Sequence, residues 1–487
     1  MIMKTNVYIL CRLLLVLIVA IQAGCNKEKA TTQNPPGGST NTALQAELDR
    51  VAGLPHEHDP AKRPLILSQP APNRRQWVIQ VLQQGYHDTA RTNAEWDSQV
   101  LRAFEAFADY SRVSTTNGSV LQKALTSVAV SCDDPMIQYM RVRYHEGNQP
   151  EAKTATAYLL AHEAMVQSNY HPLFKFFAGM RAVQSTRAAD KTTNRGNLIE
   201  LTTASLEDLA RDTNAPVDEV FDAATPWLNH SHSKDWIKFV TSDLEGILER
   251  NWGQTERWFR FCGDTEVWRG WGERGGGWAS SVTEKGFQGF EEHLDKAEKF
   301  LTKAWQMNSN TSQTAYLMMQ VELGQGQGRS RMETWFHRAM ALETNYYDAA
   351  HLMSFYLEPR WYGSEAAALS FARSCVASDK WGGQVPLVLA KIHHSLAKYY
   401  QKTNSAYWQQ PQVWRDVKSS YEKFFALNPD AAGWRHDFAK DAYDCGQPAV
   451  FLQQTKLFAF GTNYAFFGGQ EKFQAMLENA TTSARGP

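Results

Sequence analysis

The C-terminal half of the chain repeats one pattern of apolar and polar positions every 35 residues. Leu301, Phe336 and Phe371 lie at equal intervals, and a small residue follows each of them three positions later. Four segments place apolar or small residues at their first, fifth and eighth positions: 297–309, 332–344, 367–379 and 417–429. This spacing predicts four amphipathic helices. Because one helix pair cannot bury its apolar face alone, the period predicts stacked helix pairs.

Residues typical of helix starts and helix ends flank these segments. Ser330 with Glu333 predicts a capping box at the start of the second segment. Pro359 should end a helix within 357–359, and Ser364 can cap the next one. The pair Asn428-Pro429 predicts the end of the fourth segment.

The four segments resemble the second helix of a tetratricopeptide repeat (TPR), where a small residue, an aromatic residue and an alanine precede a proline. The last copy keeps Pro429 but has Phe424 in place of the alanine. The 50 residues between Ser374 and Phe424 indicate an insertion of about 15 residues before the last unit. A fainter copy at 157–169 is followed by Gly179, where the first helix of a TPR accepts only a small residue.

The rest of the chain shows few alternating, strand-like runs. Helical periodicity recurs at 96–110 and 136–144, and polar loops are expected at 190–195 and 229–234. We therefore predict an all-α fold with an α-solenoid of TPR-like helix pairs. Its parts are a signal peptide at 1–24, a flexible tether at 25–45, an N-terminal helical region at 46–250, a Trp/Gly-rich irregular insert at 251–287 and the repeats at 288–480.

A second resemblance covers residues 250–440. The run from Arg274 through 275–277 and 282–284, together with the run 356–364, is similar to a family of bacterial TPR-type proteins without an assigned activity. This resemblance implies the helical architecture and no catalytic residue.

The insert concentrates tryptophan and arginine, in a chain with 16 tryptophans. Arginine beside an indole suits cation–π stacking and the recognition of sugars or carboxylates. The alternative is a packed plug whose indoles close the end of the solenoid, and we favour that alternative. The insert nevertheless supplies the best candidate ligand site in the chain: Trp258, Arg260, Trp268, Arg269, Trp271, Arg274 and Trp278.

The N-terminus predicts export. Lys4 and Arg12 precede a short apolar run at 13–21, which is typical of a signal peptide. The sequence Ala23-Gly24-Cys25 resembles the lipobox of bacterial lipoproteins, in which the cysteine carries the lipids. Gln22 stands where leucine is usual, so cleavage after Ala23 and an uncleaved anchor remain alternatives. The polar stretch that follows suits a flexible tether and favours lipidation of Cys25.

The charge and the cysteine spacing argue against nucleic-acid binding and zinc ligation. A formal net charge of −1 argues against bulk nucleic-acid binding, which needs a basic face. Cys132, Cys262, Cys375 and Cys445 lack any CxxC spacing, so zinc ligation is not favoured. An exported chain can pair them in three ways, although Cys375 on a repeat helix is better explained as a buried free thiol.

The histidine clusters suggest no metal site. We interpret the histidines at 56–59, His230 and His232 as solvated loop residues. Val166 stands where the zinc-protease pattern that begins at His162 needs a second histidine. His393 and His394 point about 100° apart on a helix and do not face one ion.

No motif in the chain requires an enzyme. The glycines at 324–328 lack a preceding strand and a following Lys-Ser or Lys-Thr, so they predict a helix–helix turn rather than a phosphate loop. We therefore predict a protein-binding scaffold in the bacterial cell envelope, with no cofactor and a lipid anchor in the membrane. A glycan-binding surface lipoprotein and a helical enzyme with a sugar or peptidoglycan substrate are the alternatives.

Overall fold

The structure is a computed structural model of the 487-residue chain. It describes residues 74–89, 93, 95–110, 115–145, 151–186, 194–231, 233–277, 279–399, 404–429, 431–458 and 461–485. The predicted signal peptide, the tether, Cys25, the histidines at 56–59, the loop at 190–193, His232 and Trp278 lie outside these residues.

The predicted all-α fold class is confirmed. The described chain contains 22 α-helices and no β-strand. None of these helices combines the length and the apolar character that a membrane crossing requires. By their internal contacts the described residues form two compact units, which we call unit 1 (74–277 and 282–308) and unit 2 (279–281 and 309–485).

Unit 1 contains twelve helices, and a short π-helical turn at Arg141–His145 follows the fourth of them. The helices are α1 (Arg74–Asp88), α2 (Asp97–Asp109), α3 (Thr115–Ser127), α4 (Pro135–Met140), α5 (Glu151–Val166), α6 (Pro172–Ser185), α7 (Arg195–Arg211), α8 (Val217–Leu228), α9 (Lys234–Thr241), α10 (Leu244–Trp252), α11 (Glu256–Arg274) and α12 (Glu284–Met307).

Unit 2 contains ten helices, and a 3-10 turn at Val385–Leu387 leads into the fifth of them. The helices are α13 (Ser312–Gln325), α14 (Arg329–Leu342), α15 (Tyr347–Tyr356), α16 (Glu365–Ala377), α17 (Val388–Tyr399), α18 (Asn404–Trp408), α19 (Pro411–Leu427), α20 (Arg435–Asp444), α21 (Pro448–Thr455) and α22 (Gln470–Arg485).

Helix α11 corrects the prediction of an irregular insert. Its 19 residues form a regular helix in the middle of the segment 251–287. A Cβ atom on Gly263 would lie 2.5 Å from Leu301 Cγ, and one on Gly270 would lie 3.3 Å from Phe290 Cδ2. Neither glycine has a positive φ. These glycines therefore serve the close approach of α12.

Gly179 illustrates the same principle in the N-terminal part of unit 1. A Cβ atom at this position would lie 2.3 Å from Thr202 Oγ1 on α7 and 3.0 Å from His162 Nε2 on α5. The requirement for a small residue on α6 is thus confirmed. His162 is buried in this contact, and desolvation lowers its pKa to about 4.

Most of the predicted helix boundaries in unit 2 are confirmed. Helix α15 ends just before Leu357, and the Ser364 hydroxyl accepts a hydrogen bond from the Ala367 N–H at 3.1 Å to cap α16. Helix α19 ends just before Asn428. Gly326 closes α13 with a left-handed φ of 63°, so the glycine run is a helix–helix turn.

The predicted capping box at Ser330 is wrong. Helix α14 already begins at Arg329, after Gly328, so Ser330 lies inside the first turn and no side chain caps the helix. Glu333 instead accepts a hydrogen bond from Arg329 Nε at 2.7 Å. Gly328 has a φ of 125°, so the helix begins two residues earlier than the predicted capping box implies.

The repeat register is confirmed for the first, second and fourth segments and corrected for the third; in the fourth segment Val417, Tyr421 and Phe424 are buried. The buried positions are Ala297, Leu301 and Ala304 in α12, Met332, Phe336 and Ala339 in α14, and Ala368, Ala372 and Cys375 in α16. The second interval is therefore 36 residues, and Ser374 is exposed. Phe371 lies at the edge of the buried face, where it packs against Phe336 with ring centroids 5.3 Å apart. This contact explains why an aromatic residue occupies position 371, directly before the buried Ala372.

Candidate functional site

The Trp/Arg-rich candidate site lies on α11, and most of its side chains are buried. Trp258, Trp268 and Trp271 are at most 8% exposed. Arg260 and Arg274 are 7% and 4% exposed. Because buried indole faces are not available to a sugar, this burial favours the packing interpretation. Ligand binding by these residues stays a prediction.

Each arginine of α11 already has protein partners. Arg257 donates hydrogen bonds to Asp218 at 2.5 Å and to Asp222 at 3.2 Å. Arg260 lies 3.4 Å from Glu256. Arg274 donates to the backbone carbonyl of Gly275 at 3.1 Å and stacks over the Trp271 ring at 5.5 Å.

Arg269 belongs to a larger ionic network. Its two terminal nitrogens donate to Glu245 and Glu266, each at 2.7 Å. The second oxygen of Glu266 lies 2.7 Å from His293 Nδ1 on α12. Burial alone would lower the pKa of Arg269, but the two carboxylates outweigh this effect and raise it. The network fastens α10 and α12 to α11.

One acid on α11 was missed by the sequence interpretation. Asp264 is 5% exposed, and burial raises its pKa to about 7 although Asn229, Arg260 and Trp268 stabilise its charged form. The sequence offered no signal for it, because an aspartate in a polar-looking helix is normally solvated.

A second group of charged side chains occupies three helices of unit 2. We call Asp348, His351, Lys391, His394 and Asp441 the ionic surface. Asp348 and His351 lie one turn apart on α15, and Lys391 and His394 lie one turn apart on α17, so each pair shares one helix face. Asp441 projects from α20 to His394. Sequence reasoning missed this group, because polar positions at helical spacing resemble any solvated helix face.

Solvent reaches the ionic surface. The His394 side chain is 45% exposed, and Asp348, His351 and Lys391 are partly exposed. Along α15 and α17 the neighbouring positions are mostly buried: Ala349, Ala350, Leu352, Met353, Ile392, His393, Leu396 and Ala397. The titratable groups therefore lie on the side of each helix that the core leaves open.

The positive charge of Lys391 affects the pKa of two neighbouring groups, His351 and Glu358. Desolvation, together with the positive charge of Lys391, lowers the pKa of His351 to about 3. Burial raises the pKa of Glu358, whereas Lys391 and Arg360 oppose this rise. Since one lysine affects groups on both neighbouring segments, these side chains lie close together in space.

His394 is held in place from α20. Its Nε2 lies 2.9 Å from Asp441 Oδ1, and the Tyr421 hydroxyl donates to Asp441 Oδ2 at 2.9 Å. Burial alone would lower the pKa of His394, but the Asp441 carboxylate outweighs this effect and raises it. His393 points elsewhere, with its ring nitrogens 2.9 Å from Tyr407 and 3.2 Å from Asp416. The prediction that the adjacent histidines diverge is confirmed.

Asp348 and His351 differ from the other members in their contacts. The Asp348 carboxylate makes no hydrogen bond or ion pair with any described residue, and desolvation raises its pKa to about 6. The His351 ring stacks on Tyr347 with centroids 5.7 Å apart and planes 4° apart. Both groups are partly exposed, and neither has an oppositely charged partner among the described residues.

The structure also tests the predictions for His230, for the cysteines and for metal ligands. The interpretation of His230 as solvated is wrong, because its ring lies 6.0 Å from Trp227 and 5.0 Å from Trp236, and desolvation lowers its pKa to about 4. The four described cysteines are free and buried, so the prediction for Cys375 is confirmed. Within the described ranges, no group of three potential ligands has the geometry to hold a metal ion.

One open depression of about 410 Å³ lies along α12 in unit 1. Its lining is one charged face of a single helix: Asp295, Glu298, Lys299, Thr302, Lys303 and Gln306. No aromatic ring or second element contributes to this lining, so a solvated helix face explains it.

Comparison with known proteins adds no relative from which a function can be transferred. No protein-family model matches the sequence, and no curated protein matches it significantly.

Proposed function

We propose that the protein is a lipid-anchored scaffold of the bacterial cell envelope. In this proposal, unit 2 is a solenoid of TPR-like helix pairs, and the ionic surface binds a segment of another protein. The protein then acts by holding its partner and performs no catalysis.

The helix contacts within unit 2 support the solenoid. Helix α13 contacts its pair partner α14 and the next first helix, α15. Helix α15 in turn contacts α16 and α17. Helix α18 occupies the predicted insertion, after which α17 contacts α19 and α19 contacts α20. Repeat stacking requires this order, in which each helix meets its immediate neighbours.

One observation carries the binding role. The first helices α15 and α17 leave a row of titratable side chains (Asp348, His351, Lys391 and His394) partly open to solvent while most of their other positions are buried. In the proposed solenoid α15 and α17 are first helices, and we expect a partner segment to bind along the face that they form. A row of fixed charges also gives specificity, because a wrong partner leaves desolvated charges unpaired.

The anchor is the second part of the proposal. Cys25 follows Ala23-Gly24 at the end of the predicted signal peptide. We expect the Cys25→Ser variant to move from the membrane fraction to the soluble fraction in a fractionation experiment. A variant that stays in the detergent phase and retains its leader would show an uncleaved anchor instead.

Capture of partners from envelope extracts tests the binding role. The full chain with Lys391→Ala should lose most of a captured partner, because Lys391 couples both helices of the ionic surface. Lys418→Ala is the matched control, since Lys418 lies on the second helix α19 with its side chain 50% exposed. The control should retain the partner.

Two results would contradict this function. Equal capture by both lysine variants would place the partner elsewhere on the chain. Specific binding on a glycan array that survives Lys391→Ala would favour the alternative of a glycan-binding surface lipoprotein.

A further inference from the structure

The imidazole of His436 lies where α20 meets the segment 461–469, which leads from α21 into α22. His436 is the second residue of α20 and is 7% exposed. Its ring stacks on Phe458 with centroids 3.8 Å apart and planes 11° apart. The rings of Phe466 and Phe467 lie 6.3 Å and 6.0 Å away. Aromatic contacts therefore fix the plane of this imidazole.

One hydrogen bond fixes the protonation state of His436. The Asn463 N–H donates to His436 Nε2 at 3.2 Å. A backbone N–H can only donate, so Nε2 must accept. The imidazole is therefore neutral and carries its proton on Nδ1.

The same bond positions the segment 461–469. Asn463 Oδ1 accepts a hydrogen bond from the Phe466 N–H at 3.3 Å and caps the 3-10 turn Tyr464–Phe467. Phe467, at the end of this turn, is 4% exposed, and its ring lies 4.7 Å from that of Phe473 on α22. The contact between His436 and Asn463 thus anchors the turn that packs against α22.

Protonation of His436 would break this anchor. The second proton can be added only at Nε2, which would set two N–H donors face to face at a buried ring. The first turn of α20 also disfavours a positive charge, because the helix dipole is positive there. The Phe458 ring favours a cation, but it does not replace the lost acceptor. Water can satisfy both donors only if the segment moves away from α20.

The charged groups on the packed elements do not replace the lost bond. The segment 461–469 itself contains no charged residue. On α20, Arg435 donates to Gln454 at 2.9 Å, and Lys440 pairs with Asp444. Asp437 follows His436 directly, so its side chain points about 100° away around the helix. The charged residues nearest to the segment in sequence are exposed: Lys456, Glu471 and Lys472.

We propose that His436 is a pH-sensitive latch, which is closed while the imidazole is neutral and opens when it is protonated. Opening releases the segment 461–469 from α20 and loosens the attachment of α22. An imidazole takes up a proton as pH falls below about 6.5, and the closed latch excludes that proton, so acidification favours the open state. This inference goes beyond the proposed function and does not depend on it.

Hydrogen–deuterium exchange of the full-length protein at pH 7.5 and pH 5.0 tests the latch, once the rates are corrected for the intrinsic pH dependence of amide exchange. We expect peptides covering 461–469 to lose about tenfold in protection at pH 5.0, because two opposed donors replace one hydrogen bond. Peptides from α13 and α16, which contain no histidine, are the internal reference and should keep their protection.

Three variants complete the design. His436→Gln offers an acceptor oxygen near the place of Nε2 but cannot titrate, so its segment should stay protected at both pH values. His436→Phe keeps the ring stack and lacks the acceptor, so its segment should already be about tenfold less protected at pH 7.5. His87→Gln changes an exposed histidine of α1 and should keep the acid-dependent loss. Circular dichroism melts at pH 7.5 verify that all three variants retain the fold.

Three results would overturn the latch. The first is unchanged protection of 461–469 in the wild-type protein at pH 5.0. The second is an acid-dependent loss in His436→Gln as large as that of the wild type, because another group would then titrate. The third is wild-type protection of His436→Phe at pH 7.5, because the ring stack and not the hydrogen bond would then hold the segment.

Discussion

Helix α11 in unit 1 and the ionic surface in unit 2 use charged residues in opposite ways. On α11 the arginines meet carboxylates within the chain, as Arg269 does with Glu245 and Glu266. On the ionic surface, Asp348 and His351 are partly exposed and lack an oppositely charged partner among the described residues. The charges of α11 hold helices together, whereas Asp348 and His351 make no such ionic contact.

Under the proposed function, the pairing of charges and not composition separates a packed segment from a binding surface. Tryptophan and arginine in one segment suggest recognition, but Trp258, Trp268 and Trp271 are buried in the packing of α11. An ordinary amphipathic helix such as α17 carries Lys391 and His394 on its open side.

The largest effect is expected from breaking the α11 network. Arg269→Ala leaves Glu245 and Glu266 as neighbouring, partly buried negative charges, so it should lower the free energy of unfolding by about 3 kcal/mol. Arg415→Ala, at an exposed position of α19, should change it by no more than about 0.5 kcal/mol. Chemical denaturation measures both. Equal losses would show that the network on α11 is no stronger than a surface charge.

The corrected repeat register predicts opposite results for two equivalent sequence positions. Ala339 is fully buried, so Ala339→Leu should overpack the core and cost about 1–3 kcal/mol. Ser374 lies 35 residues later but is exposed, so Ser374→Leu should cost no more than about 0.5 kcal/mol. Thermal melts of the two variants compare them directly. A large loss from Ser374→Leu would restore the register of 35 residues.

The glycines of unit 1 test the close approach of α11 and α12. Gly263→Ala should cost about 1–2 kcal/mol, because the new Cβ atom meets Leu301 Cγ at 2.5 Å. Gly246→Ala in α10 should instead stabilise by about 0.5–1 kcal/mol, since its nearest neighbour lies 3.7 Å away and alanine favours a helix. If both variants were stabilised, the two helices would pack more loosely than the structure shows.

The smallest effect concerns Asp348 and depends on pH. Its pKa rises from 3.8 in the unfolded chain to about 6 in the folded one, so its contribution to stability is present below pH 4 and is lost as pH rises through 6. Asp348→Asn removes that loss. Because Asp348 is partly exposed, the variant should be about 1 kcal/mol more stable than the wild type at pH 7.5. The difference should vanish near pH 4 in urea titrations, and a difference that is independent of pH would contradict this assignment.

Sequence patterns predicted the helices and most of their ends, because caps and glycine turns act locally. Ser364, Asn428 and Gly326 each mark a boundary that the structure confirms. The helix α11 was not predicted within the insert, where Gly263 serves a contact with Leu301, 38 residues away in sequence. No local pattern reports such a contact.

The ionic surface was not predictable for a related reason. A helix face with Lys391 and His394 looks the same in sequence whether bulk water or a partly desolvated surface surrounds it. The Asp348 carboxylate differs from an ordinary surface aspartate only in its loss of hydration, which tertiary packing causes. The divergence of His393 and His394 was predictable, because helix geometry alone fixes it.

Chemical labelling of histidines tests the central claim most directly. Diethyl pyrocarbonate modifies accessible imidazoles, and mass spectrometry compares the full-length protein with and without its captured partner. The partner should protect His394 and His351 on the ionic surface and leave the exposed His87 of unit 1 unchanged. His393, which is 1% exposed, should react slowly in both samples. Unchanged labelling of His394 and His351 in a complex that is demonstrably formed would contradict the account.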